Sequence, residues 1–171
     1  MRKVVWNRSI ARWIRMKVIK SFIYPVATYG CETWTLRNVE KQKLRVWWMK
    51  ILRRVYGTWI TERVRNEDIR GALKCSDIID MVEHRRRRYV GHIYRYPRER
   101  IVKQALGATW PSAGNKKRRG KAMTWMGMVK RDLKDNDLDL TVSKVEWRNK
   151  IAELFGEKMT KGAEEILEGT H

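Results

Sequence analysis

Between Leu44 and Val55 the residues Leu44, Trp48, Ile51, Leu52 and Val55 recur at intervals of three and four, while Lys43, Lys50, Arg53 and Arg54 gather on the opposite side. That spacing belongs to an α-helix with one dry stripe and one cationic stripe. Nothing else in the chain competes with it. Period-2 alternation is absent, and Gly and Pro fall where helices would end, so the expected fold class is all-α. About five to seven helices should form one compact unit with a basic loop and a frayed C-terminal tail.

Local signals place the helices. A first one is expected over about Ser9 to Tyr29, bent by Pro25, which removes a backbone donor. A second starts at Asn38 as N-cap and runs to Tyr56, with Gly57 at its C-terminal end. Asn66, followed by Glu67 and Asp68, opens a short third helix at which first-turn acids suit the dipole. Ser76 and Asp77 open the next, lined by Ile78, Ile79, Val82, Tyr89, Ile93 and Tyr96 until Pro97. Gly107 to Gly120 reads as a loop, a helix follows over about Lys121 to Lys134, and the S-x-x-E box Ser143 to Glu146 opens a last helix carrying Trp147, Ile151 and Leu154. Beyond Phe155 fraying is expected.

The charge is abnormal: 39 Lys and Arg against 19 Asp and Glu over 171 residues. Residues 1–131 hold 33 basic and 9 acidic side chains, a balance of +24, whereas 132–171 hold 6 and 10, a balance of −4. Self-repulsion at that charge opposes a compact state unless a polyanion screens it, which makes RNA or DNA the first partner class. No run of apolar residues is long enough to span a bilayer, and no leader of secretory type is expected at the start. An anionic membrane surface or an acidic partner is the competing reading, and a remnant of a decayed element is another. The two cysteines, Cys31 and Cys75, cannot build a disulfide framework, which suits an intracellular setting.

Three clusters carry the expectation of a phosphate-binding surface: Lys43, Lys50, Arg53 and Arg54; Arg85, Arg87 and Arg88 with Arg95; and the loop cations Lys116, Lys117, Arg118, Arg119 and Lys121. Guanidinium groups grip phosphate bidentately and stack on bases. The run Arg85 to Arg88 poses a geometric problem, because residues 100° apart cannot share one helix face and at least one must lean inward. Trp47, Trp110 and Trp125 border these clusters and are the candidates for stacking on unpaired bases. The loop also reads as a nuclear localisation patch.

No catalytic set emerges. Cys31, Cys75, His84, His92 and His171 match no zinc spacing. Asp135, Asp137, Asp139 and Glu146 follow an EF-hand count, but Leu140 stands where that loop needs glycine. No metal and no cofactor is expected, and no nucleophile with an ordered base appears.

Six segments also carry a resemblance: "YPVATYGCETWTL" (Tyr24–Leu36), "VRNEDIR" (Val64–Arg70), "RRRRYVGHIYRYPRERI" (Arg85–Ile101), "KKRRGKAMTW" (Lys116–Trp125), "RDL" (Arg131–Leu133) and "EWRNKIAEL" (Glu146–Leu154). In that order they resemble the C-terminal part of the reverse transcriptase polyprotein of non-LTR, LINE-type retrotransposons. The resemblance implies a thumb-like part over 1–57, a basic post-thumb region over 58–155 and a tail over 156–171. It further implies a piece downstream of a polymerase palm, present as a fragment or free-standing remnant; with the basic loop read as a localisation patch, an intracellular, nuclear or nucleocytoplasmic setting is expected. The palm's paired aspartates have no counterpart in this sequence, so no polymerase activity is expected of this chain itself. Two departures stand out. Gly120, Lys121 and Ala122 replace the family's frequent Gly-Arg-Pro, and Cys75 falls where the family pattern has no cysteine.

Overall fold

The structure, a computed structural model, describes residues 5–107 and 124–168. Among the described residues every regular element is a helix. In chain order these are α1 (Arg12–Val18), a π-turn (Ile19–Ile23), α2 (Tyr24–Ala27), a 3₁₀ turn (Cys31–Thr33), α3 (Asn38–Tyr56), a second 3₁₀ turn (Ile60–Glu62), α4 (Asn66–Ala72), α5 (Ile78–Tyr94), α6 (Ile101–Gly107), α7 (Trp125–Asp135) and α8 (Lys144–Glu168).

The bend expected at Pro25 is realised as a change of helix type. Pro25 offers no N–H, and ahead of it the backbone widens, so that Tyr24 N–H bonds Ile19 O five residues back. Several helix ends follow their local chemistry. Gly57 ends α3 in the left-handed region at φ 96°, and the Asp77 carboxylate caps α5 by accepting from Ile79 N–H at 2.8 Å. Ser143 Oγ accepts from Glu146 N–H at 3.2 Å ahead of α8.

Two expected caps are displaced by one residue. The N-cap of α3 is Arg37, because the Glu40 carboxylate reaches back to Arg37 N–H at 2.6 Å and also holds its guanidinium. Those bonds hold the Glu40 carboxyl below its usual range. The N-cap of α4 is Arg65, since the Asn66 side chain accepts from Arg53 at 2.9 Å instead of closing the helix. The short helix α6 was not anticipated from the sequence. α7 starts later than expected, at Trp125, capped by Thr124 Oγ1 accepting from Gly127 N–H. α8 runs to Glu168, past Phe155 where fraying is expected, through a stretch of Ala, Glu, Lys, Ile and Leu that favours helix.

Two clusters of buried apolar residues stand out among the described residues. The larger joins Val5, Ile19, Trp48, Leu52, Val55, Ile69 and Ile78, so one core crosses residue 57 and gathers α1, α3, α4 and the start of α5. The smaller is built from Leu138, Trp147 and Ile151, with Leu133 and Leu154 against it. α8 lies along both α4 and α5. Gly91 permits this approach: a methyl group there would overlap the Trp147 indole. The closeness of α5 and α8 sets the position of the charged surface beside their seam.

Candidate nucleic-acid interface

The four consecutive arginines of α5 point in four directions, as 100° per residue requires. Arg85 donates to Thr28 Oγ1 at 3.0 Å and lies 5.0 Å over the Tyr24 ring, tying α5 to α2 and the residue after it. Arg86 is only 2% exposed, and its Nε and Nη2 have no hydrogen-bond partner. Burial lowers its pKa, against the opposing pull of the Asp132 and Glu83 carboxylates. Arg87 is equally buried and donates to both oxygens of Asp132, at 2.7 to 3.2 Å. Arg88 alone of the four is exposed.

The fork of Arg87, a residue expected at a phosphate, is occupied by a carboxylate inside the protein. Arg53 and Arg95 also serve as internal clamps. Arg53 donates to Val64 O at 2.7 Å and to Asn66. Arg95 donates to Gly91 O and to Val142 O while lying 5.8 Å over the Trp147 ring, which fixes the end of α5 to the start of α8.

Lys43, Lys50 and Arg54 are exposed and recur at i, i+7 and i+11 along one stripe of α3. Arg54 lies 5.2 Å over the Trp6 ring. Lys50 and Arg53 border a cleft of about 520 Å³ that also contains Glu67 and Asp77, where Arg70 bonds both acids. Mixed charge of that kind is poorly suited to a polyanion.

A different place concentrates positive charge. A groove of about 1000 Å³ runs between α5 and α8. Its α5 wall carries Arg85, Arg88, His92 and Arg95, its α8 wall Lys144 and Arg148, with Tyr89, Tyr96 and Trp147 among them. Among the described residues that line it, five are Lys or Arg and one, Glu32, is a carboxylate. Arg88, His92, Lys144 and Arg148 are exposed. At the inner end His84 packs 4.5 Å from Phe155, and burial, followed by the charges of Arg88, Arg87 and Arg85, holds its pKa below the ordinary value.

The predicted residues among those described are thus not brought together as one surface. Arg85, Arg88 and Arg95 border the groove, while Lys43, Lys50, Arg53 and Arg54 lie elsewhere on α3. Lys116, Lys117, Arg118, Arg119, Lys121 and Trp110 lie outside the described residues. Of the stacking candidates, Trp47 is half-buried with its ring 6.0 Å from that of Trp48. Trp125 donates its indole N–H to Glu32 O at 2.8 Å and meets Tyr89 edge-on, so both tryptophans are engaged in packing. Sequence reasoning passed over His92, Tyr96, Lys144 and Arg148. The signal for them is the i, i+4 spacing of Arg88, His92 and Tyr96, matched by that of Lys144 and Arg148.

No group of three or more His, Cys, Asp or Glu converges as metal ligands among the described residues. Cys31 and Cys75 are buried free thiols whose pKa values burial pushes up. Asp139 is engaged by Thr141, whose N–H and hydroxyl donate to it at 2.9 and 2.6 Å and hold its carboxyl below the usual range. No described helix is long and apolar enough to cross a membrane.

With this geometry in place, comparison with known proteins adds one relationship. Over 131 residues the chain is 26% identical to an uncharacterised transposon-derived protein of Caenorhabditis elegans, a match covering 74% of this chain and 46% of that protein. The chain therefore spans less than half the length of that relative. No family model matches the chain, and no solved structure matches it. What the match supports is a transposon-related origin.

Proposed function

We propose that the chain is a nucleic-acid-binding module of retrotransposon descent, equivalent to the thumb and post-thumb region beyond a reverse transcriptase palm, which would be supplied by another part or another chain. One observation carries the reading: the α5–α8 groove sets five Lys or Arg side chains against a single carboxylate among its described lining residues. Phosphates are the abundant polyanion that such a surface neutralises, releasing condensed counterions. The resemblance of Arg85–Ile101 and Glu146–Leu154, the two segments that build the groove, to the retrotransposon pattern supports the same reading. The transposon-derived relative agrees with it at the coarser level of origin.

Filter binding of RNA and DNA across a salt series tests the function. Affinity should fall steeply with salt, and a flat dependence would remove phosphate neutralisation as the basis of binding.

A further inference from the structure

We propose that the α5–α8 groove takes an unpaired nucleic-acid strand and holds its bases against Tyr96 and His92; this rests on the nucleic-acid reading and narrows it to a substrate class. Arg88 and His92 lie one turn apart on α5, roughly 6 Å of helix rise, and Tyr96 follows just past the helix end with its ring against His92, so a cation and two planar rings line the same wall. Lys144 and Arg148 repeat that spacing on the opposite wall. The walls therefore supply phosphate-binding charge on both sides and accessible rings on one.

The rings are accessible and held in place. His92 is exposed and Tyr96 half-buried, with ring centroids 4.8 Å apart at 60°. Tyr96 lies just past the end of α5, where its N–H bonds Ile93 O at 3.0 Å and its carbonyl accepts from Lys103 Nζ at 2.7 Å. The Arg100 guanidinium covers Tyr96 at 4.7 Å from the centroid. Arg100 is exposed, so an arriving base can displace it from the ring. The other groove aromatics are engaged: Trp147 is buried beneath Arg95, and Tyr89 meets Trp125.

Ring stacking separates an unpaired strand from a duplex. The base faces of a duplex are already stacked on one another, so a duplex gains only the phosphate contacts, whereas a splayed strand gains both. Fluorescence anisotropy of the full chain should be compared for a labelled single strand of about 12 nucleotides, in RNA and DNA form, and for the same sequence as a blunt duplex. The strand is expected to bind about tenfold more tightly; Tyr96→Leu should remove about that factor for the strand and less than about twofold for the duplex. Tyr96→Phe, which keeps the ring, should bind as wild type, and circular dichroism melts verify that each variant folds. Equal binding of strand and duplex, or equal displacement of the strand by polyglutamate of matched charge, would overturn the inference and leave an interface that reads charge alone. Failure of both strand and duplex to bind would overturn the nucleic-acid reading with it.

Discussion

Asp132 of α7 accepts three hydrogen bonds from Arg87 of α5, at 2.7 to 3.2 Å, and stands close enough to Arg86 to counter the loss of its charge. One carboxylate thus serves two buried guanidinium groups, with Glu83 3.7 Å from Arg87 as a weaker contributor. The relationship is unequal, and that gives a testable asymmetry. Asp132→Ala leaves Arg87 and Arg86 buried without it and should cost about 3 to 5 kcal/mol. Arg87→Ala should cost clearly less, because Arg86 has two unpartnered nitrogens able to turn toward Asp132. Urea denaturation midpoints of the two variants decide this, and equal losses would mean that Arg86 plays no such part.

Gly91 makes the second prediction. A methyl group there collides with the Trp147 indole at the α5–α8 crossing, so Gly91→Ala should destabilise by about 1 to 3 kcal/mol through overpacking. Because that crossing sets the groove, its affinity for nucleic acid should fall as well. Gly156, on the same α8, has open space around its Cβ position, and Gly156→Ala should be stabilising by up to about 1 kcal/mol. Thermal melts of the pair separate packing from helix propensity; a gain at Gly91 like that at Gly156 would contradict the crossing.

His84 predicts how stability depends on pH. Its folded pKa lies below the ordinary 6.5, first because of burial and then because Arg88, Arg87 and Arg85 of its own helix surround it. From α8 it meets Phe155, and Glu32 and Arg148 border the same groove. The unfolded chain therefore takes up a proton near pH 6.5 while the folded chain does not. Stability should be level above that pH and decline as pH falls through it toward the lower folded value. Denaturant midpoints across pH 5 to 8, a span of roughly the range in which histidine charge changes, should show this slope in the wild type and not in His84→Phe. A decline of the same steepness in the variant would assign it to other groups.

The parts of the fold legible in the sequence are those that rest on neighbours in the chain. The apolar period of α3, the cap at Asp77, Gly57 in the left-handed region and the Ser143 cap all involve residues within one or two turns of each other. Contacts between distant residues were not legible. The run Arg85 to Arg88 reads as surplus charge until α7 brings Asp132 from 45 positions away to Arg87. Trp125 reads as a ring beside a basic loop until its indole reaches Glu32 O, 93 positions away. Lys144 and Arg148 belong to a mildly acidic end of the chain, and only the packing of α8 along α5 sets them across from Arg88.

The salt dependence of binding separates the groove from the rest of the cationic surface. With a single strand each phosphate neutralised adds about −0.7 to the slope of log affinity against log salt. Arg88, Lys144 and Arg148 are the exposed Lys and Arg among the described groove-lining residues. Engaging these three should give a slope of about −2, a loss of roughly twentyfold between about 50 and 200 mM salt. If the α3 stripe of Lys43, Lys50 and Arg54 joined in, the slope would approach about −4, and a duplex bridging six phosphates would lose roughly 10³ over the same range. Charge removal distinguishes the two. Arg88→Gln and Arg148→Gln should each flatten the slope by about 0.7, while Lys43→Gln and Lys50→Gln should leave it unchanged for a single strand. A slope insensitive to Arg88 and Arg148 but reduced by Lys43 and Lys50 would move the interface to α3, where the nearby Glu67 and Asp77 make a polyanion less welcome.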